Sequence, residues 1–204
     1  MFTILTEIAV NTLIPAFWVA VAIGFTRFVR GRYAWFESLL LSVGFAVGQI
    51  RILGGWPWPP TETAQALVFL VLVGGAVRHL SAAMQAGVAF GILQVGLYFV
   101  LVPIWPESKT SVGQQVLMAN GALAVIFAVS ARVPARLLGG GLTVAAGMIG
   151  AMILSKGSTS LAMSAWLVAS MTAVETLASR PENSPRTVAP AALILLALEA
   201  YNYV

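Results

Sequence analysis

The chain has 204 residues, of which 59% are hydrophobic and only 9% are charged, and its mean hydropathy is +0.92. Soluble domains carry roughly 25% charged residues, so this composition excludes an ordinary water-soluble fold and indicates a lipid solvent. The net charge of +4 does not indicate nucleic acid binding, because the basic residues stand in short segments beside hydrophobic stretches, where membrane topology explains them.

Eight hydrophobic stretches of membrane-spanning length follow one another with short breaks between them. Crossing about 30 Å of hydrocarbon takes about 20 helical residues, and these stretches are apolar on all sides, which favours helices over a barrel. The predicted spans are 8–26, 34–53, 64–80, 84–104, 113–131, 137–154, 160–178 and 188–204. The last stretch is short and contains Glu199, so a seven-span chain is the alternative. We therefore expect residues 1–204 to form a single all-α domain, a polytopic transmembrane helical bundle, with no room for a soluble domain.

Lysine and arginine are distributed unevenly over the loops between these spans. The odd-numbered loops hold Arg27, Arg30, Arg32, Arg78, Arg132, Arg136, Arg180 and Arg186, and the even-numbered loops hold Arg51, Lys109 and Lys156. Because cytoplasmic loops are enriched in these residues, we expect the odd loops in the cytoplasm and both termini outside. The first stretch lacks a basic n-region and carries Glu7, so it is predicted to be a retained span and not a cleaved signal peptide.

Aromatic residues stand at the same predicted boundaries. Tryptophan and tyrosine are enriched at membrane interfaces, and five of them are predicted as outer interface anchors: Trp56, Trp58, Trp105, Tyr201 and Tyr203. Trp58-Pro59 and Trp105-Pro106 are also 47 residues apart, which suggests a parallel repeat of helical hairpins. The alternative is that similar helix lengths impose this spacing without homology. So compact a chain suits a prokaryotic inner membrane.

Small residues four positions apart predict close contacts between helices. Such pairs let two helix backbones approach each other in lipid, where no hydrophobic force drives helices together. The predicted packing pairs are Gly44 with Gly48, Gly87 with Gly91, and Ala146 with Gly150. We expect them to pack within the bundle, and docking onto another chain is the alternative.

Polar residues inside predicted spans are the candidates for function, because ionisable groups are costly in a membrane. Glu175 is a candidate proton- or ion-binding carboxylate, although pairing with Arg180 or Arg186 is the favoured interpretation. Glu199 is a second candidate, although exposure near the outer headgroups is the favoured interpretation. Gln94 and Asn120 are expected either to join helices by hydrogen bonds or to line a substrate path, and Pro15 is expected to bend the first span.

Residues for redox, metal or hydrolytic chemistry are scarce. The chain has no cysteine, no aspartate and one histidine, His79, which lies in a predicted loop. A metal or haem site needs more ligands than this, and a serine nucleophile lacks its base. We therefore expect neither a metal nor a cofactor of recognisable motif, and no enzymatic activity.

Three hypotheses about function follow. The leading one is a non-catalytic membrane subunit or scaffold of a larger assembly, with membrane lipids and other membrane proteins as partners and no nucleic acid. The second is a small transporter or channel for a lipid, a metabolite or an ion, in which Glu175, Glu199, Gln94 and Asn120 would face one cavity. The third is a lipid-modifying enzyme that uses Glu175 and Glu199 as acid and base.

Overall fold

A computed structural model describes residues 2–30, 34–76, 82–101, 109–130, 132–178 and 189–202. Within these ranges the chain forms eight helices and no strand. Helix α1 consists of Phe2–Ile8, a π-helical turn at Ala9–Leu13 and Ile14–Arg30. The others are α2 Ala34–Leu53, α3 Thr63–Ala76, α4 Ala82–Leu101, α5 Lys109–Ser130, α6 Ala135–Ser155, α7 Thr159–Ala178 and α8 Ala189–Asn202. The predicted all-α helical bundle is confirmed.

Six of the described helices are long and apolar enough to cross a membrane, so the chain is an integral, multi-pass membrane protein. The other two, α3 and α8, have 14 residues each. At 1.5 Å per residue a helix of that length reaches about 21 Å, less than the ~30 Å of a hydrocarbon core. Both are apolar and largely buried, because longer helices surround them.

Consecutive helices run in opposite directions. Arg27 near the end of α1 contacts Glu37 at the start of α2 and Ala178 at the end of α7, and this side of the bundle is named the Arg27 end. The opposite side is named the Trp56 end, after the exposed tryptophan in the loop between α2 and α3. The charge distribution predicts that the Arg27 end faces the cytoplasm.

Pro15 explains the π-helical turn in α1. Proline has no N–H, and its ring displaces the carbonyl four residues earlier, which is that of Asn11. The helix widens to accommodate this, since the Ile14 N–H donates to the Ala9 carbonyl five residues back. The Asn11 carbonyl then lies directly against Gly48 of α2, so the widened turn brings the two backbones together.

Glycine ends two of the helices. Gly54 follows α2 with φ +75°, and the N–H groups of Gly54 and Gly55 donate to the carbonyls of Arg51 and Ile50. This pair of bonds is the Schellman motif, which needs a left-handed residue. Gly157 ends α6 in the same conformation, with φ +93°, and so permits the short connection to α7.

The helices α7 and α8 lie at the centre of the bundle. Helix α7 packs against α1, α2, α6 and α8, whereas α8 also packs against α3, α4 and α5. Alanine and serine are frequent in α7, and such small side chains permit close approach on several sides at once. The last helix is therefore a central element and not a peripheral one.

Three of the predicted packing glycines lie at tight helix contacts. An added Cβ on Gly44 would overlap Val19 of α1, and one on Gly48 would lie 2.8 Å from Leu167 Cδ2 of α7. On Gly150 of α6 it would lie 2.7 Å from Trp166 Nε1 of α7. Ala146 is fully buried in the same core.

The glycine pair of α4 is placed differently from the prediction. A Cβ on Gly87 or Gly91 would meet no atom of the described residues within 4 Å. The reason is that α4 turns another face inward, which carries the buried side chains of Ile92, Leu93 and Leu97. Packing within the bundle is therefore not found for this pair.

Two of the predicted interface anchors fold over α3. The rings of Trp56 and Trp58 lie 5.6 and 5.5 Å from the ring of Phe69, both edge to face, and both remain largely exposed. Tyr201 is exposed near the end of α8. Trp105 and Tyr203 lie outside the described residues, as does the second Trp-Pro segment of the suggested repeat.

Candidate functional site

A half-open cavity lies between α2, α3, α7 and α8 at the Arg27 end. Its polar lining consists of Ser38, Ser42, Thr172 and Glu175. The apolar lining is Leu41, Phe45, Val71, Val168, Met171, Ala189 and Ala192. One carboxylate and three hydroxyl groups thus stand in an otherwise apolar space, as in many sites for small molecules.

Backbone forms the wall of the cavity on the side of α3. Gly74 and Gly75 line it there, and the Ser38 hydroxyl donates to the Gly75 carbonyl over 3.1 Å. A Cβ on Gly75 would overlap the Ser42 hydroxyl. Because Ser38 and Ser42 are one helical turn apart, both face the glycine pair. Glycine here provides the room in which the two hydroxyls sit.

Helix α7 supplies the opposite wall. Thr172 is buried, and its hydroxyl donates to the Val168 carbonyl over 2.7 Å, which leaves its oxygen lone pairs as acceptors. Glu175 is half-buried three residues further on. The sequence candidate Glu175 therefore lies in a cavity, and Arg180 and Arg186, its suggested partners, lie outside the described residues.

An ion pair joins three helices beside the cavity. Arg27 donates from Nε and Nη2 to the two carboxylate oxygens of Glu37, each over 2.6 Å, and Nη2 also donates to the Ala178 carbonyl. Such a bidentate pair is both strong and directional, and a cation suits the negative end of α7. This pair was not predicted from the sequence, although Arg27 and Glu37 are only ten residues apart.

A second polar cluster lies towards the Trp56 end of the same four helices. Gln49 of α2 is fully buried, and its Nε2 donates to the Ala64 carbonyl of α3 over 3.0 Å and to the Ser164 hydroxyl of α7 over 2.8 Å. Its Oε1 has no hydrogen-bond partner among the described residues. Gln49 lies seven residues beyond Ser42, about 10 Å along the helix, and the buried Phe45 separates the two levels.

Glu199 of α8 belongs to this second level. Its carboxylate hydrogen-bonds the Thr63 hydroxyl at the start of α3 and interacts with the like charge of Glu62. Its Oε2 is buried and finds no partner in the described part of the chain. The interpretation that Glu199 is simply exposed near the headgroups is therefore not confirmed, because the start of α3 packs against this side chain.

Gln94 and Asn120 lie elsewhere. Gln94 Nε2 of α4 donates to Asn120 Oδ1 of α5 over 2.7 Å, and Asn120 Nδ2 donates to the Val116 carbonyl. Gln94 and Asn120 thus join two helices by hydrogen bonds, which is the first of the two roles expected for them from the sequence. A similar pair, Gln115 with Asn202, joins α5 to α8 through reciprocal bonds of 3.0 and 2.9 Å. These amides were not singled out as a pair, since 87 residues separate them.

The four candidate residues thus do not face one cavity. Glu175 lies near the end of α7 and Glu199 near the end of the antiparallel α8, so they stand at opposite ends of the bundle. Two carboxylates so placed cannot serve one substrate as acid and base. Within the described residues no three histidine, cysteine or acidic side chains form a metal-binding group.

Comparison of the chain with protein-family models, with curated proteins and with solved structures finds no match.

Proposed function

We propose that the protein is a small membrane transporter that binds an organic cation in the cavity at the Arg27 end. The observation that carries this proposal is the cavity itself: a half-open, largely apolar space between four helices that holds one carboxylate and three hydroxyl groups. Towards the Trp56 end, hydrogen bonds from Gln49 of α2 to Ala64 of α3 and Ser164 of α7 hold these three helices together. A binding site between helices that are closed against each other towards one end is the arrangement expected of one state in alternating access.

The lining of the cavity supports the class of solute. Glu175 provides negative charge, and the hydroxyl groups of Ser38 and Ser42 provide hydrogen-bond acceptors. Phe45 and Met171 add apolar and aromatic surface, on which a desolvated ammonium group is stabilised. A small amine or quaternary ammonium compound suits this combination. On the predicted orientation the cavity opens to the cytoplasm, and we place the protein in a prokaryotic inner membrane.

Accessibility tests the cavity directly, because the chain has no cysteine of its own. A single cysteine at Ser42 should react with a charged, membrane-impermeant methanethiosulfonate reagent supplied from the Arg27 end, and 10 mM choline should slow that reaction. Val43→Cys is the matched control: the neighbouring side chain is exposed on the lipid-facing side of α2, where a charged reagent does not react.

Transport is tested in proteoliposomes on a solid-supported membrane, with concentration jumps of choline and methylammonium. We expect transient currents that Glu175→Gln reduces at least tenfold and that Glu7→Gln, on the exposed start of α1, leaves unchanged. Equal currents in both variants, or no currents together with an unreactive Ser42→Cys, would contradict the proposal.

A second candidate is the non-catalytic subunit of a larger membrane assembly. The outward face of α4 favours it, because Gly87 and Gly91 are uncovered by described residues and the exposed Val95 and Tyr98 continue the same face. Paired glycines are a common contact between transmembrane helices. Purification in mild detergent should then yield stoichiometric membrane partners that Gly87→Leu removes, whereas a solitary monomer would exclude this role.

A further inference from the structure

Two buried side-chain oxygens without a hydrogen-bond partner in the described residues lie against the first turn of α3. They are Oε1 of Gln49 and Oε2 of Glu199. Gln49 reaches this turn from α2, through its bond to the Ala64 carbonyl, and Glu199 reaches it from α8, through the Thr63 hydroxyl. Buried acceptors are satisfied in nearly all native structures. Their position therefore indicates that this turn binds a group able to donate to them or to be coordinated by them.

The chemistry of the two atoms selects the ligand. Both are hydrogen-bond acceptors, so a ligand that offers further acceptors is disfavoured. The positive end of the α3 dipole would by itself attract an anion, but the carboxylates of Glu199 and Glu62 already face this turn and repel one. Amide, carboxylate and hydroxyl oxygens are hard ligands, which favour hard cations over the transition metals that prefer sulfur or nitrogen ligands.

The charge on these ligands sets the valence. Of the two carboxylates near this turn, only that of Glu199 has a buried oxygen, whereas Glu62 is exposed. Divalent calcium usually takes six to eight oxygen ligands, carboxylates among them. One buried carboxylate with neutral oxygens from Gln49, Thr63 and Ser164 balances a single positive charge.

We propose that the first turn of α3 is a binding site for a monovalent cation, with Gln49 Oε1 as a ligand and the Glu199 carboxylate as the balancing charge. The site is distinct from the cavity at the Arg27 end, about 10 Å away along α2. The helices α2, α3, α7 and α8 contribute to both places. A cation bound here ties together the four helices that line the cavity.

The test is the thermal unfolding of the purified full chain in detergent, with N-methyl-D-glucamine chloride replaced by NaCl or KCl at constant ionic strength. A cation at ten times its dissociation constant should raise the unfolding midpoint by about 3–6 °C. Gln49→Leu and Glu199→Gln should abolish this rise. Gln114→Leu, an exposed glutamine on α5, and Glu175→Gln should retain it.

Other results would overturn the proposal. No rise with either cation would mean that Gln49 Oε1 holds an ordinary buried water. A rise lost in Glu175→Gln and kept in Gln49→Leu would place the cation in the cavity. Should Gln49→Leu fail to fold, Glu199→Gln keeps the shape of its side chain and carries the same expectation. Since transport is measured with organic cations and Glu175→Gln, the failure of either proposal is distinguishable from that of the other.

Discussion

Gly44 of α2 faces Val19 of α1 so closely that an added methyl group would overlap the valine side chain. We expect Gly44→Ala to destabilise the protein by about 1–3 kcal/mol, the usual cost of overpacking a core. Gly91→Ala is the matched control, because its methyl group would meet no described atom and alanine is favoured over glycine in a helix by about 1 kcal/mol. Chemical unfolding in mixed micelles measures both, and equal stabilities would refute the tight contact.

Arg27 and Glu37 are predicted to stabilise the junction of α1, α2 and α7. Their side chains are 22% and 15% exposed, so removal of either partner leaves a largely buried charge. We expect Arg27→Gln or Glu37→Gln to cost about 1.5–3 kcal/mol, the range for hydrogen bonds to charged groups. In a double-mutant cycle the double variant should be little worse than either single variant, since the second substitution removes the charge that the first left unpaired. Strictly additive losses would show that the two side chains do not interact.

At the scale of elements, the short helix α8 depends on neighbours along its whole length. Leu195 fills the space beside Gly96 of α4, and Asn202 is joined to Gln115 of α5 by two hydrogen bonds. A helix of 14 residues reaches only about 21 Å and is too short to cross the hydrocarbon core by itself, so tertiary contacts at its end hold it in place.

Asn202→Ala is therefore expected to loosen the end of α8 and to lower stability by about 0.6–1.7 kcal/mol, between the average and the maximum measured for hydrogen bonds between membrane helices. Gln114→Ala is the control, because this neighbouring glutamine is exposed. Hydrogen exchange of residues 195–202 gives the readout. Unchanged exchange in Asn202→Ala would mean that apolar packing alone holds the helix.

At the scale of the whole molecule, the distribution of arginine predicts which end faces the cytoplasm. Ser155 lies at the end of α6 and Pro134 at its start, both exposed and at opposite ends of the bundle. In intact cells, an impermeant maleimide should label Ser155→Cys and should label Pro134→Cys only after the membrane is opened. The reverse pattern would invert the predicted topology and would place the mouth of the cavity outside.

The helices themselves were predictable from the sequence, because each needs only a run of apolar residues long enough for lipid and a backbone that satisfies its own hydrogen bonds. Gly54 and Gly157 end their helices through local conformation alone. Pro15 was expected to bend the first span, and α1 has a π-helical turn just before it. Glu175 was identified as a costly charge in a span, although not the Ser38 and Ser42 hydroxyls that share its cavity.

Only the tertiary structure decided which faces meet. Gly44 and Gly87 belong to identical motifs, yet one is at a tight contact and the other is uncovered. Lipid makes every apolar face acceptable on the outside, so hydrophobicity does not distinguish an inward face from an outward one. For the same reason, the pairing of Gln94 with Asn120 and the placing of Gln49 and Glu199 at one turn of α3 depend on how the helices rotate and pack, which no local pattern encodes.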